Sequence, residues 1–260
     1  ALDDTDKYTL LLRRSTAWYE VGRFHGEDRP ARRNYADGDV GSIRGLWVSY
    51  VSSTQVSIAG GEIVVHDGTT ARRLYADAAI AKTPTITEST NHIVYLYVDT
   101  PASGLTLAAA DIEQSNTAPT WSHAKVGYYH PATTDWRFIG SVPVKSDNTI
   151  RAFGRQGDRV VYTSVGVVGN VAIPTTPTDV DISAYVPSIA GVRAILSGVF
   201  RYDTGYPGWI YMRENGTTLN MSVSNLSVFQ VSDSTCVELP VDANGIFEYY
   251  ADSAGGKVNI

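Results

Sequence analysis

The run Ile93-Val-Tyr-Leu-Tyr-Val98 constrains this chain more than any other stretch. Its β-branched and aromatic residues favour extended backbone, and without polar alternation both faces of the strand need cover. A second sheet or a neighbouring subunit must supply it. The run is also the longest uninterrupted apolar stretch, six residues where a bilayer span needs roughly 20. The expectation is a soluble protein with no membrane insertion and no signal segment opening the chain.

Short strand-like stretches recur around this run. Before and after it come Leu46 to Val51, Gln55 to Ile58, Glu62 to His66, Arg72 to Tyr75, Lys125 to Tyr129 and Trp136 to Val144. Gly60-Gly61 and Asp67-Gly68 separate consecutive candidates where tight hairpins call for positive φ, which predicts a meander. Leu105 to Gln114 is the one stretch that suits a helix, and a strand with a loop suits it equally. Past the Pro174-Thr-Thr-Pro177 connector follow Val192 to Phe200, Trp209 to Met212, Leu219 to Val223, Val228 to Val231, Cys236 to Leu239, Ile246 to Tyr250 and Lys257 to Ile260. That is enough for a small sandwich. With 23 Gly and 16 Tyr against two Met, the class is all-β.

The length of 260 residues predicts more than one core. The expected division is an N-terminal attachment arm over 1–45, a middle β domain over 46–154 and a C-terminal β-sandwich over 155–260. Both β units are read as a sandwich or a barrel. Residues 1–45 mix an acidic start (Asp3, Asp4, Asp6) with a basic, Gly-punctuated segment and offer little apolar periodicity. They suit a segment pinned to another protein, and a first pair of strands belonging to the next domain remains open.

A net charge of −6 with dispersed basic residues argues against a nucleic-acid partner. The single cysteine, Cys236, allows no internal disulfide and is read as a small core hydrophobe.

The residues also resemble a known group. Ser53-Thr-Gln-Val-Ser-Ile-Ala-Gly60, Ser115-Asn-Thr-Ala-Pro119 and Arg137-Phe-Ile-Gly-Ser141 leading to Asn148-Thr-Ile-Arg-Ala-Phe153 resemble domains of tailed-bacteriophage fibres and spikes. So does Val180-Asp-Ile-Ser-Ala-Tyr-Val-Pro187 ahead of a Gly-rich β region and a Tyr-rich last strand. The resemblance covers most of residues 46–260. It implies a homotrimer on the virion surface, assembled in the host cytoplasm. The N-terminal part would hold other virion structural proteins, and the C-terminal sandwich would meet a bacterial surface polysaccharide. Tail and head positions, the latter as in gene-transfer-agent-like particles, are both open under this resemblance, and the alternative reading is a purely structural connector or head-decoration protein without receptor binding.

Chemistry is sparse. There is no Gly-x-Ser-x-Gly elbow, and Asp203 with Glu214 is better read as a structural pair than as a glycosidase pair. The expectation is a non-enzymatic protein. The five histidines (His25, His66, His92, His123, His130) lack metal-ligand spacing, so neither a metal nor another cofactor is expected.

What remains is aromatic. Tyr202, Tyr206, Trp209 and Tyr211 flank a turn-rich loop with Asp203 and Arg213 close by. Sugar rings present apolar C–H faces to aromatics while charged neighbours fix hydroxyls. These six residues are the candidate glycan site, with loop-borne Tyr206 the strongest ligand candidate. For Trp209 itself, packing in the core or a trimer contact is the favoured reading. Tyr249 and Tyr250 are adjacent in a strand and must face opposite sides. Trp121 and Trp136 are expected to fill the middle core or its trimer axis.

Overall fold

The computed structural model describes residues 8–14, 17–24, 42–66, 69–87, 90, 92–101, 104–133, 135–156, 159–162, 169, 171–189, 191–202, 208–218, 221–226, 232–252, 254 and 256–259. The fold is all-β. Its one helical element among the described residues is a single 3-10 turn, Ala109–Asp111. Strands β1 (Tyr8–Arg14) and β2 (Ala17–Phe24) pair as an antiparallel ribbon with a register shift between Leu10 and Leu11. Asp3, Asp4, Asp6 and His25 lie outside the described residues.

Six short strands follow: β3 (Ile43–Gly45), β4 (Val48–Ser52), β5 (Gln55–Ile58), β6 (Gly61–His66), β7 (Ala71–Ala76) and β8 (Ile80–Lys82). They form two three-stranded sheets, β3-β6-β7 and β4-β5-β8. The expected meander is therefore broken at Gly60-Gly61, because β5 and β6 belong to different sheets and the glycine pair is a crossover. Neither glycine has positive φ. The reason for glycine is proximity: a Cβ on Gly61 would lie 2.2 Å from the Arg44 carbonyl oxygen. The β6–β7 hairpin does form, with His66 opposite Ala71, and its tip at Asp67-Gly68 lies outside the described residues.

Opposite these sheets stands a five-stranded one of β9 (His92–Val98), β10 (Ile112–Ser115), β11 (Thr120–Ser122), β12 (Gly127–Tyr129) and β13 (Arg137–Val144), in the order β10-β9-β13-β12-β11. Leu105 to Gln114 thus resolves into the 3-10 turn and β10, not a helix. Val94, Leu96 and Val98 point into the larger core with Val56, Ile58, Ile63, Val65 and Leu74. Ile93, Tyr95 and Tyr97 point the other way, against Trp136, Phe138 and Ile189. The predicted two-sided cover of this strand is real, and the chain supplies both sides itself.

A second ribbon, β14 (Phe153–Gln156) with β15 (Arg159–Tyr162), leads to the C-terminal part. Val228 to Val231, expected to be strand, lie outside the described residues. Eight strands build this part: β16 (Val171–Ala172), β17 (Thr178–Asp181), β18 (Arg193–Tyr202), β19 (Gly208–Glu214), β20 (Met221–Leu226), β21 (Ser232–Pro240), β22 (Ile246–Ala251) and β23 (Gly256–Asn259). Their sheets run β16-β23-β18-β21 and β17-β22-β19-β20, all pairs antiparallel. Every connection except β19 to β20 switches sheets. That is the connectivity of an eight-stranded jelly roll.

The jelly-roll core is filled by Val180, Ile182, Ile210, Met212, Leu239, Phe247 and Tyr249. It is an open sandwich, and no sheet among the described residues closes into a barrel. Cys236 lies opposite Ser197 in the β18–β21 pair; its side chain lies outside the described residues. At the seam between the two parts, the Tyr162 hydroxyl donates to the Tyr185 carbonyl and the Arg151 guanidinium covers the Tyr185 ring at 4.8 Å. The Tyr95 hydroxyl accepts the Ser188 amide at 2.9 Å.

Candidate functional site

Alternation along β19 decides which of the predicted residues share a face. Ile210 and Met212 have no solvent exposure. The intervening Trp209, Tyr211 and Arg213 therefore line the outer side of the sheet. This corrects the core half of the expectation for Trp209, core or trimer contact: in the single chain the residue is 42% exposed.

The neighbouring strand β22 alternates in phase. Phe247, Tyr249 and Ala251 are buried in the core, so Glu248 and Tyr250 look outward beside β19. The opposite-sides expectation for Tyr249 and Tyr250 is met. Register sets Tyr211 directly opposite Tyr250 and Arg213 opposite Glu248. The two tyrosine rings stack with centroids 5.1 Å apart and planes 25° from parallel. Such offset stacks are favoured by the ring quadrupoles.

Arg213 holds the charged end of this stripe. Its Nε donates to Glu248 Oε2 at 2.5 Å, and its guanidinium sits 5.8 Å from the Tyr250 centroid. Asp179 on β17 stands opposite Glu248, one strand further toward the sheet edge. At the aromatic end the Trp209 amide donates to Asp252 Oδ1 at 3.0 Å, while the Asp252 amide returns a bond to the Trp209 carbonyl at 3.2 Å. This double clamp fixes the backbone carrying the exposed indole.

Of the six predicted site residues, the structure brings Trp209, Tyr211 and Arg213 together on one face. Tyr202 ends β18, in the other sheet, and its side chain lies outside the described residues. Asp203 and Tyr206 also lie outside them, so the Tyr206 loop and the Asp203–Glu214 pair are undescribed. Tyr250, Glu248, Asp179 and Asp252 were missed or underrated. The available signal was the alternation Phe247-Glu-Tyr-Tyr250; what joins it to β19 is strand pairing, which one strand's sequence does not carry.

The stripe suits ligands with apolar C–H faces and hydroxyls rather than charged ones, because Arg213 is already paired. Among the described residues no three His, Cys, Asp or Glu side chains gather as a metal-binding group. A second aromatic cluster lies in the middle part. Trp121 on edge strand β11 is 46% exposed in the single chain, which corrects the core half of its expected place, core or trimer axis; its ring meets Tyr128 edge-on at 5.1 Å. Trp136 does pack, half-buried, against Tyr97 and His130.

No family model, curated protein or solved structure matches the chain.

Proposed function

We propose that this chain is a non-enzymatic virion fibre or spike protein that attaches the particle to a host-surface glycan through the outer face of its C-terminal sandwich. The observation that carries the reading is the solvent-facing stripe of Trp209, the Tyr211–Tyr250 stack and the Arg213–Glu248 pair. A core-forming strand has no use for three outward aromatics, whereas a pyranose ring stacks on such a surface and hydrogen-bonds to its charged end. Jelly rolls also recur in lectin and viral capsid domains, an analogy of fold that supports the reading without deciding it.

In this reading the N-terminal part docks onto other virion proteins, and three copies associate. Each stripe then binds weakly, and linked copies raise the apparent affinity. An array of bacterial surface polysaccharides probed with the full chain tests it. Retention on at least one polysaccharide supports the reading; no retention on any, with the chain folded and oligomeric, overturns it.

A second reading, a connector or head-decoration protein without receptor binding, draws on the exposed Trp47, Val51, Trp121 and Val126 of the middle part. Apolar side chains so placed suit contacts with neighbouring virion proteins. Burial of the Trp209 stripe between subunits of the assembled particle would select it.

A further inference from the structure

The seam between the middle part and the jelly roll holds a cleft of about 260 Å³. Thr90, His92, Tyr95, Asn116, Ser183 and Ser188 line it, with Ile93 as its aliphatic wall. No lining side chain is acidic or a permanent cation. We propose that this cleft is a binding site for a single neutral, hydroxyl-rich ring, such as one uncharged hexose unit, separate from the aromatic stripe.

Three features carry the proposal. The first is the donor and acceptor set. Three aliphatic hydroxyls, a phenol, a carboxamide and an imidazole each pair readily with ring hydroxyls, and none prefers an anion or a cation. The second is fixed orientation. His92 Nδ1 lies 2.7 Å from the Thr90 carbonyl, which only accepts, so Nδ1 donates to it and the ring is held in one orientation. The Tyr95 hydroxyl oxygen accepts the Ser188 amide at 2.9 Å, which leaves its own hydrogen to donate elsewhere.

The third is construction. Ser183 and Ser188 arrive on the turn-rich segment after β17, pinned by the Ser183 amide to Asp181 Oδ1 at 2.8 Å and by the Ile182 amide to the Gly245 carbonyl at 2.9 Å. Thr90, His92, Ile93, Tyr95 and Asn116 come from the five-stranded sheet and its approaches. The cleft thus needs both parts of the chain in their seated arrangement. Its volume is below the roughly 300–1,000 Å³ of drug-sized pockets, which limits the ligand to about one ring.

Saturation-transfer NMR on the full chain tests this with methyl glucoside, methyl galactoside and methyl mannoside as neutral probes and glucuronate as the charged one. The expected result is signal from at least one neutral hexoside and none from glucuronate. The signal should persist in the Trp209→Ala/Tyr211→Ala double variant and, in that background, weaken about tenfold on adding Ser183→Leu, which fills the cleft, or Asn116→Ala. The alanine variant removes only an amide and keeps the test decisive if leucine disturbs folding. Absence of signal from all three neutral probes, equal binding of glucuronate, or signal unchanged when Asn116→Ala is added to the Trp209→Ala/Tyr211→Ala background overturns the proposal. Loss of signal in the Trp209→Ala/Tyr211→Ala variant does so too, by assigning the binding to the stripe. Polysaccharide retention on the array depends on the stripe and is read independently.

Discussion

Tyr211 and Tyr250 sit directly opposite each other on β19 and β22 and stack at 5.1 Å on the solvent side of the sheet. Their chain neighbours Ile210 and Tyr249 are buried beneath them. One strand pair thus separates an outward aromatic face from a core. Phe247→Ala should cost about 3–5 kcal/mol, the range for emptying a buried aromatic site. Tyr250→Ala should cost about 1 kcal/mol, the order of a partly exposed aromatic pair. Urea unfolding of both variants measures the contrast, and similar losses would show that Tyr250 is part of the core.

Gly245 joins the jelly roll to the cleft. It has φ +76°, and a Cβ there would approach Ser183 Cα at 2.8 Å. Gly245→Ala therefore combines a left-handed-backbone penalty of about 1–2 kcal/mol with a backbone clash that moves the Ser183 segment. Thermal unfolding should register the loss. Saturation transfer from a neutral hexoside should fall with it, whereas Gly216→Ala, at φ +73° with open space around its Cβ, should show the stability loss alone.

Four tyrosines among the described residues answer to alkali. Burial raises the hydroxyls of Tyr97, Tyr129, Tyr162 and Tyr249 above their ordinary value of 10.0, at Tyr129 against the opposing pull of Arg137. A raised folded-state value means the contribution is complete below that ordinary value and is lost as pH climbs beyond it. Tyrosine absorbance at alkaline pH should show a late group of ionisations coinciding with unfolding. Tyr162→Phe should shrink that group; an unchanged titration would contradict the assignment.

Asp242 answers to acid. Partial desolvation pushes its carboxyl up, but the amides of Ile246 and Asn244 and the Asn215 side chain outweigh that and hold it below the ordinary 3.8. A depressed value gives stability that is present above the usual aspartate range and lost as pH falls through the folded value. Asp242→Asn should therefore flatten the decline of stability below about pH 4, the range of an unperturbed aspartate. Denaturation midpoints measured between neutral and acidic pH test the sign.

The sequence made the strand content legible because period-two patterning and turn residues are local. Ile93 to Val98 announced a strand covered on both sides, and β5 occupies Gln55–Ile58 as read. The order of strands was not legible, because jelly-roll connectivity switches sheets at nearly every step and pairing partners lie far apart in the chain. Gly60-Gly61 shows the limit: the residues predicted a turn, but the demand on them is room for the Arg44 carbonyl. The side of the sheet that Trp209 takes was not legible for a related reason. Trp-Ile-Tyr alternation is the same whichever side faces the core, and Ile210 with Met212, not the aromatics, won the interior.

Binding of the full chain to the polysaccharide it retains on the array, compared with Tyr211→Ala and Trp209→Ala by calorimetry, tests the adhesive role most directly. Both variants should keep the wild-type circular dichroism spectrum and lose about tenfold in affinity each, the order expected for one lost stacking contact of 1–2 kcal/mol. Unchanged affinity in both would contradict the assignment of the outer β19–β22 face as the recognition surface.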